Sequence, residues 1–127
     1  MAQKNKDIHT INSGTKGVVQ IADEVISVIA ALAATEVDGV YSLAGGVTYD
    51  KASRAGARAL SRGVRTVIEG KTVSVRLVLI MKYDYSIPET TAKVQERVKS
   101  ALENMTGLSV SHVDVSIADV QIDSDAE

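Results

Sequence analysis

The feature that most constrains the fold is a strand, helix and strand unit in the C-terminal half of the chain. An alternating apolar run over residues 72–84 predicts a long strand with one continuous apolar face. A helix is predicted to begin after Ser86, because Glu89 three residues later completes a capping box and Pro88 lies in the first turn. Gly107 can adopt the left-handed conformation that ends this helix before a final strand.

The apolar positions of this unit predict which faces are buried. The inner face of the long strand is predicted to consist of Val73, Val75, Leu77, Leu79, Met81 and Tyr83. Its other face mixes polar residues with Val78 and Ile80 and is expected to be partly exposed. The inner face of the helix is predicted to consist of Val94, Val98, Ala101, Leu102 and Met105.

The apolar residues of the final strand do not all fall on the same set of alternating positions, so their parity changes along the strand. One set of alternating positions contains Val113, Val115 and Ile117, whereas Val110, Val120 and Ile122 fall on the other set. Either a bulge or a strand that is covered on both faces explains this change.

The preceding part of the chain predicts alternating short elements. A β-branched run at 18–21 is followed by a helix from Asp23 to about Glu36 and by a short strand at 39–43. A strand at 64–69 joins the long strand through a two-residue link that contains glycine, which indicates a hairpin. Helices around a mixed, hairpin-containing sheet predict an α+β domain of two layers, with the sheet packed against the helices.

The first helix has an unusually wide apolar stripe. Its apolar positions are Val25, Ile26, Val28, Ile29, Ala30, Ala31, Leu32, Ala33 and Ala34. The sequence leaves two interpretations open: a central core helix, or a helix that forms part of an interface with another subunit.

Length and composition predict one domain. The chain has 127 residues, of which 45% are hydrophobic, so it can bury a core without disulfides. We expect a polar, disordered arm at 1–16, a single domain at 17–122 and an acidic tail at 123–127. The longest apolar stretch, 25–34, is too short to cross a bilayer, and the N-terminus lacks the apolar region of a secretory signal. A cytoplasmic protein without a transmembrane segment of its own is expected.

No catalytic, metal or cofactor site is predicted from the residue chemistry. Zero cysteines exclude disulfides, thiolate nucleophiles and zinc-thiolate sites. His112, Asp114 and Ser116 alternate along one strand face, but one histidine and one carboxylate are too few for a metal or acid–base site. The chain contains no phosphate-binding loop and no dinucleotide fingerprint.

The charged cluster that merits a test is basic, and we call it the arginine row. It consists of Lys51, Arg54, Arg58, Arg62 and Arg65. A helix over 51–62 would align its arginines on one face, although its alanine-rich apolar side would hold it weakly or leave it mobile. The row is interpreted either as a site for anionic ligands, namely acidic lipid, nucleic acid or an acidic protein, or as a solvated face that pairs with the acidic tail. We do not expect specific nucleic-acid binding, because the chain has no Phe or Trp for stacking.

Three stretches of the sequence resemble one family. They are VVQIADEVISVIAALAATEVDGVYSL, GVRTVIEGKTVSVRLVLIMKYDYSIPE and VQERVKSALENMTGLSVSHVDVSIADV, which together span residues 17–120. They are similar to the alkaline shock protein and general stress protein family of Gram-positive bacteria, also called the envelope stress response family. The chain departs from the family pattern at Asp23, where proline is frequent, and at Ser86, where asparagine is frequent; aspartate and serine both suit a helix start.

The resemblance implies a non-enzymatic, cytoplasmic protein of cell-envelope homeostasis. Family members include proteins held near the membrane by a membrane-spanning partner and proteins linked to the control of fatty-acid synthesis. The resemblance therefore implies a self-associating scaffold or adaptor with a membrane-anchored protein partner. The alternative is a regulator that binds anions through the arginine row.

Overall fold

The computed structural model describes residues 8–12, 18–44 and 63–122, and the side chains of residues 21–44 and 63–122 among them. The strands are β1 (Ile8–Asn12), β2 (Val18–Ala22), β3 (Val40–Leu43), β4 (Val64–Glu69), β5 (Thr72–Lys82) and β6 (Ser109–Gln121). The helices are α1 (Asp23–Thr35) and α2 (Ile87–Thr106). The helix expected over 51–62 and the tail at 123–127 lie outside the described residues.

Strand β5 is the centre of the main sheet. It pairs antiparallel with β4 over residues 72–77 and antiparallel with β3 over residues 79–81, so these two strands follow one another along the same edge of β5. Strand β6 runs parallel to β5 along its other edge. The sheet is therefore mixed and contains the hairpin that the link through Gly70 predicts.

The second layer consists of α1 and α2, which contact each other and cover the face of the sheet that carries the odd-numbered residues of β5. The largest fully buried side chains of this core are Ile26, Leu43, Leu77, Leu79, Met81 and Leu102. On the opposite face, Arg76 and Lys82 are exposed while Val78 and Ile80 are half-buried. The structure confirms the two-layer α+β prediction and, except at Tyr83, the predicted faces of the long strand.

Bulges account for the parity change in β6. The register shifts at Ser111 and again at Ala118, so that each position inserts one extra residue against β5. As a result Val110, Val113 and Val120 lie opposite Val73, Val75 and Met81, all on the same face of β5. The bulge interpretation is confirmed, and its physical reason is that the two insertions keep the apolar residues of β6 in line with those of β5.

The ends of α2 follow the sequence signals. The Ser86 hydroxyl accepts a hydrogen bond from the Glu89 N–H at 3.3 Å, and Gly107 ends the helix with φ of 79°.

Two inner-face predictions are wrong, however. Met105 is 69% exposed and Tyr83 is 62% exposed. Buried Thr106 occupies the inner face of the last turn instead of Met105, and Tyr83 lies beyond the end of β5, where the strand alternation no longer applies.

Helix α1 buries its small residues more completely than its large ones. Ile26, Ala30 and Ala34 are fully buried, which lets the helix approach the sheet and α2 closely. By contrast Val25 is about half exposed, and Val28 is only partly buried. The helix is therefore a core helix that retains an apolar outer edge.

Strand β1 lies where the sequence predicts a disordered arm. Residues Ile8–Asn12 pair antiparallel with β2, with Ile8 opposite Ala22 and Asn12 opposite Val18. These five residues of the arm form a strand. A short polar strand has a weak pattern of its own, and here the pairing with β2 supplies the backbone hydrogen bonds that define it.

Candidate functional surfaces

The polar face around His112 offers no metal site. His112 Nε2 lies 3.9 Å from Asp114 Oδ2, and both side chains are more than half exposed to solvent. Within the described residues, no group of three His, Cys, Asp or Glu side chains could hold a metal ion. His112 and Asp114 therefore belong to a solvent-exposed face of β6.

Most of the arginine row lies outside the described residues: Lys51, Arg54, Arg58 and Arg62. Arg65 is described, and it is exposed on β4 directly opposite Arg76 of β5. Arg76 in turn lies opposite Asp114 of β6. Two like charges that face each other across strands are unfavourable unless an anion lies near them. Asp114 can offset the charge of Arg76, and Arg65 is the described member of the arginine row on this face.

An exposed apolar surface, which we call the end patch, lies where β5 and β6 end and α2 begins. Its apolar members are Tyr83, Tyr85, Ile87, Val120 and Ile122, and they border a depression of about 430 Å³. Single exposed apolar residues are ordinary on protein surfaces, but a contiguous group marks an interaction site. No single stretch of the sequence indicates this surface, because its members come from the ends of three different elements.

The backbone beneath the end patch is held in place. The Lys82 N–H donates to the Gly39 carbonyl at 2.8 Å, and the Tyr83 N–H donates to the Gln121 carbonyl at 3.0 Å. Gly39 has φ of 100°, and a Cβ atom added there would lie 2.8 Å from Cδ2 of Tyr85. The Tyr85 ring therefore packs directly on the glycine backbone, which fixes its position at the border of the end patch.

The outer edge of β6 is the second surface, and side chains close it at both ends. Near its start, the Glu103 carboxylate accepts from the Val110 N–H at 3.1 Å, and Gln95 Nε2 donates to the Val113 carbonyl at 2.9 Å. Near its end, Asp119 Oδ1 accepts from the Val120 N–H at 2.8 Å. Such caps are a means by which proteins protect exposed strand edges from pairing.

Between these caps a short part of the edge stays open. Backbone groups of a strand point alternately to its two sides, so Val115 and Ile117 present their N–H and C=O groups on the same side as the Val113 carbonyl. Among the described residues, β6 pairs with β5 alone. We call the segment 115–117 the open edge.

No helix in the described part of the chain is long and apolar enough to cross a membrane.

Comparison with known proteins identifies relatives over nearly the whole chain. A model of the Asp23 family, described by a cell envelope-related function, matches residues 11–122; the family name is unrelated to the residue Asp23. The protein YqhY of Bacillus subtilis is 35% identical over 111 residues, which cover 87% of this chain and 82% of YqhY. A stress response regulator gls24 homolog of Streptococcus pyogenes is 27% identical over 87% of this chain and 63% of its own length.

One solved structure is similar in its chain trace. It is a variant of the MamM CTD, with 16% sequence identity and a TM-score of 0.49, over 78% of this chain and 96% of that domain.

Proposed function

We infer that this chain, which belongs to the Asp23 family of cell envelope-related proteins, is a non-enzymatic scaffold or adaptor of the envelope stress response. In this proposal it associates with itself and with protein partners. It works in the cytoplasm, for which a chain without cysteines is suited, and a membrane-anchored protein recruits it to the membrane. The family and the stress-regulator name of a relative support the envelope and stress context.

The end patch is the observation that carries the adaptor proposal. Exposed aromatic and aliphatic side chains lie together on a fixed backbone, which is the composition of a protein contact centre. The depression between them is shallow and is lined mainly by apolar atoms, with Lys82 and Asp84 at its border. Such a surface suits an apolar side chain of a protein partner better than a polar substrate.

The test is capture of partners from native cells by wild-type and variant protein. The variant Tyr83→Ser with Ile87→Ser changes two exposed members of the end patch that lie outside β6, so strand pairing there is unaffected. The matched control is Val67→Ser, because Val67 is 57% exposed on β4 and lies outside the patch. We expect wild type and control to capture the same membrane-spanning protein, and the patch variant to lose it.

Two outcomes contradict the proposal. If the patch variant captures the same protein as wild type does, the end patch is not the partner surface. If no membrane protein is captured and the purified chain is monomeric at micromolar concentration, the scaffold proposal itself fails.

A second candidate function is regulation through anion binding, and one observation supports it. Arg65 lies exposed opposite Arg76, so the described end of the arginine row places two guanidinium groups next to each other on the sheet face that the helices leave uncovered. Arginine guanidinium groups suit phosphate and carboxylate ligands, such as acidic lipid headgroups or an acidic protein segment. The link to fatty-acid synthesis that the family resemblance implies is part of this anion-binding proposal and not of the scaffold proposal.

Binding to vesicles that contain phosphatidylglycerol tests this candidate. Replacing Arg54, Arg58 and Arg62 by glutamine should abolish binding that weakens as salt is raised. Replacing Lys93 and Lys99, which are exposed on α2, gives a control with reduced charge elsewhere. Unchanged binding by the arginine variant, or equal loss in the lysine control, would refute a specific role of the row.

A further inference from the structure

We propose that the open edge of β6 pairs with the same edge of a second copy, antiparallel, about a two-fold axis at Ser116. This inference rests on the proposed self-association and assigns it to a surface and a register. In the pairing, the N–H and C=O groups of Val115 in one copy form hydrogen bonds with those of Ile117 in the other. The two-fold axis generates the same pair of hydrogen bonds between Ile117 of the first copy and Val115 of the second. The two β5–β6 sheets then form one continuous sheet across the dimer.

The free backbone hydrogen-bonding groups along the outer edge of β6 select this register. The Ser116 axis uses the N–H and C=O groups of Val115 and Ile117 and no group that a side chain already occupies. An axis one residue nearer the start of β6 would pair Val113 with Ile117, although the Val113 carbonyl already accepts from Gln95 at 2.9 Å. An axis one residue nearer its end would bring the bulge at Ala118 into the ladder.

The side chains are compatible with the same register. Ser116 is exposed and would face Ser116 of the second copy, and two small hydroxyl side chains pair favourably across strands. Asp114 of one copy would lie opposite Ala118 of the other, and not opposite the second Asp114. By contrast, an axis at Asp114 would place two carboxylates face to face, which is unfavourable.

Apolar contact extends the interface beyond the short ladder. Counting along the two antiparallel strands from the Ser116 axis brings Ile122 of one copy opposite Val110 of the other. Ile122 is 66% exposed in the single chain, and Val110 lines the cleft between α2 and β6. Burial of this side chain on both sides of the axis supplies a hydrophobic contribution that the hydrogen bonds alone lack.

The caps at both ends of the edge explain why a second copy is favoured over an arbitrary strand. A long peptide that adds to a sheet edge needs a continuous row of free backbone groups. Here Glu103, Gln95 and Asp119 occupy groups on either side of the open edge. Only a short, centred pairing remains, and a two-fold axis doubles the contacts that such a short pairing provides.

A cysteine crosslink in the full-length protein tests both the surface and the register. The natural chain has no cysteine, so Ser116→Cys introduces a single thiol. In the proposed register the two Cα atoms at this position are about 4.5 Å apart, within the range of a disulfide. The matched control Asp114→Cys lies on the same exposed face, but its two copies are four residues out of register, or roughly 13 Å apart.

We expect Ser116→Cys to form a disulfide-linked dimer under mild oxidation at least about tenfold faster than Asp114→Cys. Ser116→Lys, which places like charges on the axis, should lower the dimer fraction seen by light scattering without changing the thermal midpoint of the monomer. Equal crosslinking by both cysteines, or no effect of Ser116→Lys on a dimer that still forms, would overturn the proposed interface and leave self-association standing. A chain that is monomeric in every variant would overturn self-association as well.

Discussion

Gly39→Ala tests how the turn before β3 holds the end patch in place. Gly39 has φ of 100°, where a residue with a Cβ atom is strained, and its added Cβ would lie 2.8 Å from Cδ2 and 3.0 Å from Cγ of the Tyr85 ring. Real Cβ contacts are not that short, so the ring must move. Gly107→Ala is a matched control, because Gly107 also has positive φ, of 79°, but has open space around the added Cβ.

The expected costs separate the two effects. Gly107→Ala introduces backbone strain alone, about 1–2 kcal/mol of unfolding free energy. Gly39→Ala adds overpacking against the Tyr85 ring, about 1–3 kcal/mol more. Both substitutions reduce the conformational entropy of the unfolded chain equally, so that contribution cancels in the comparison.

Urea denaturation followed by far-ultraviolet circular dichroism measures both costs. We expect Gly39→Ala to be the more destabilising variant, and its excess over Gly107→Ala to shrink by at least about 1 kcal/mol when Tyr85→Ala removes the ring. If Gly39→Ala costs no more than Gly107→Ala, the ring does not pack on the glycine as described. The added Cβ would also lie 3.0 Å from Oγ1 of Thr90, so part of the excess should remain without the ring. An excess that does not shrink at all would also refute this reasoning.

The remaining predictions concern local contacts. Ser86→Ala removes the side-chain acceptor at the start of α2 and should cost about 1 kcal/mol, seen as a lower urea midpoint; an unchanged midpoint would show that the cap does not stabilise the fold. Leu102→Ala empties a fully buried site and should cost about 2–5 kcal/mol, whereas exposed Met105→Ala should stay within about 0.5 kcal/mol; similar costs would contradict the assigned helix face. Glu103→Ala frees the Val110 N–H and should speed its hydrogen exchange, and an unchanged exchange rate would argue against the cap.

Local signals predicted the elements of the main sheet and both helices. Ser86 and Gly107 act through contacts within a few residues of themselves, so their roles could be assigned before the structure was known. The alternation of β5 also predicted its buried face. Even the bulges in β6 left a visible trace, because Val110 and Val113 could not otherwise share a face.

Features that depend on distant contacts could not be predicted in this way. Met105 follows the helical spacing of the inner face, yet the buried positions of α2 continue from Leu102 to Thr106, which leaves Met105 on the exposed side of the last turn. Strand β1 has too few apolar residues to be recognised and is defined by its pairing with β2. The end patch brings together Tyr83, Ile87 and Ile122 from separate elements, and the open edge exists because side chains of α2 cap only part of β6.

Self-association is the property on which the proposed scaffold function depends. Multi-angle light scattering of the purified chain over a concentration series through the micromolar range tests it most directly. We expect a mass that rises from that of the 13.4 kDa chain to at least twice that value, and that falls back in Ser116→Lys. A wild-type mass that stays at one chain across the whole series would contradict it.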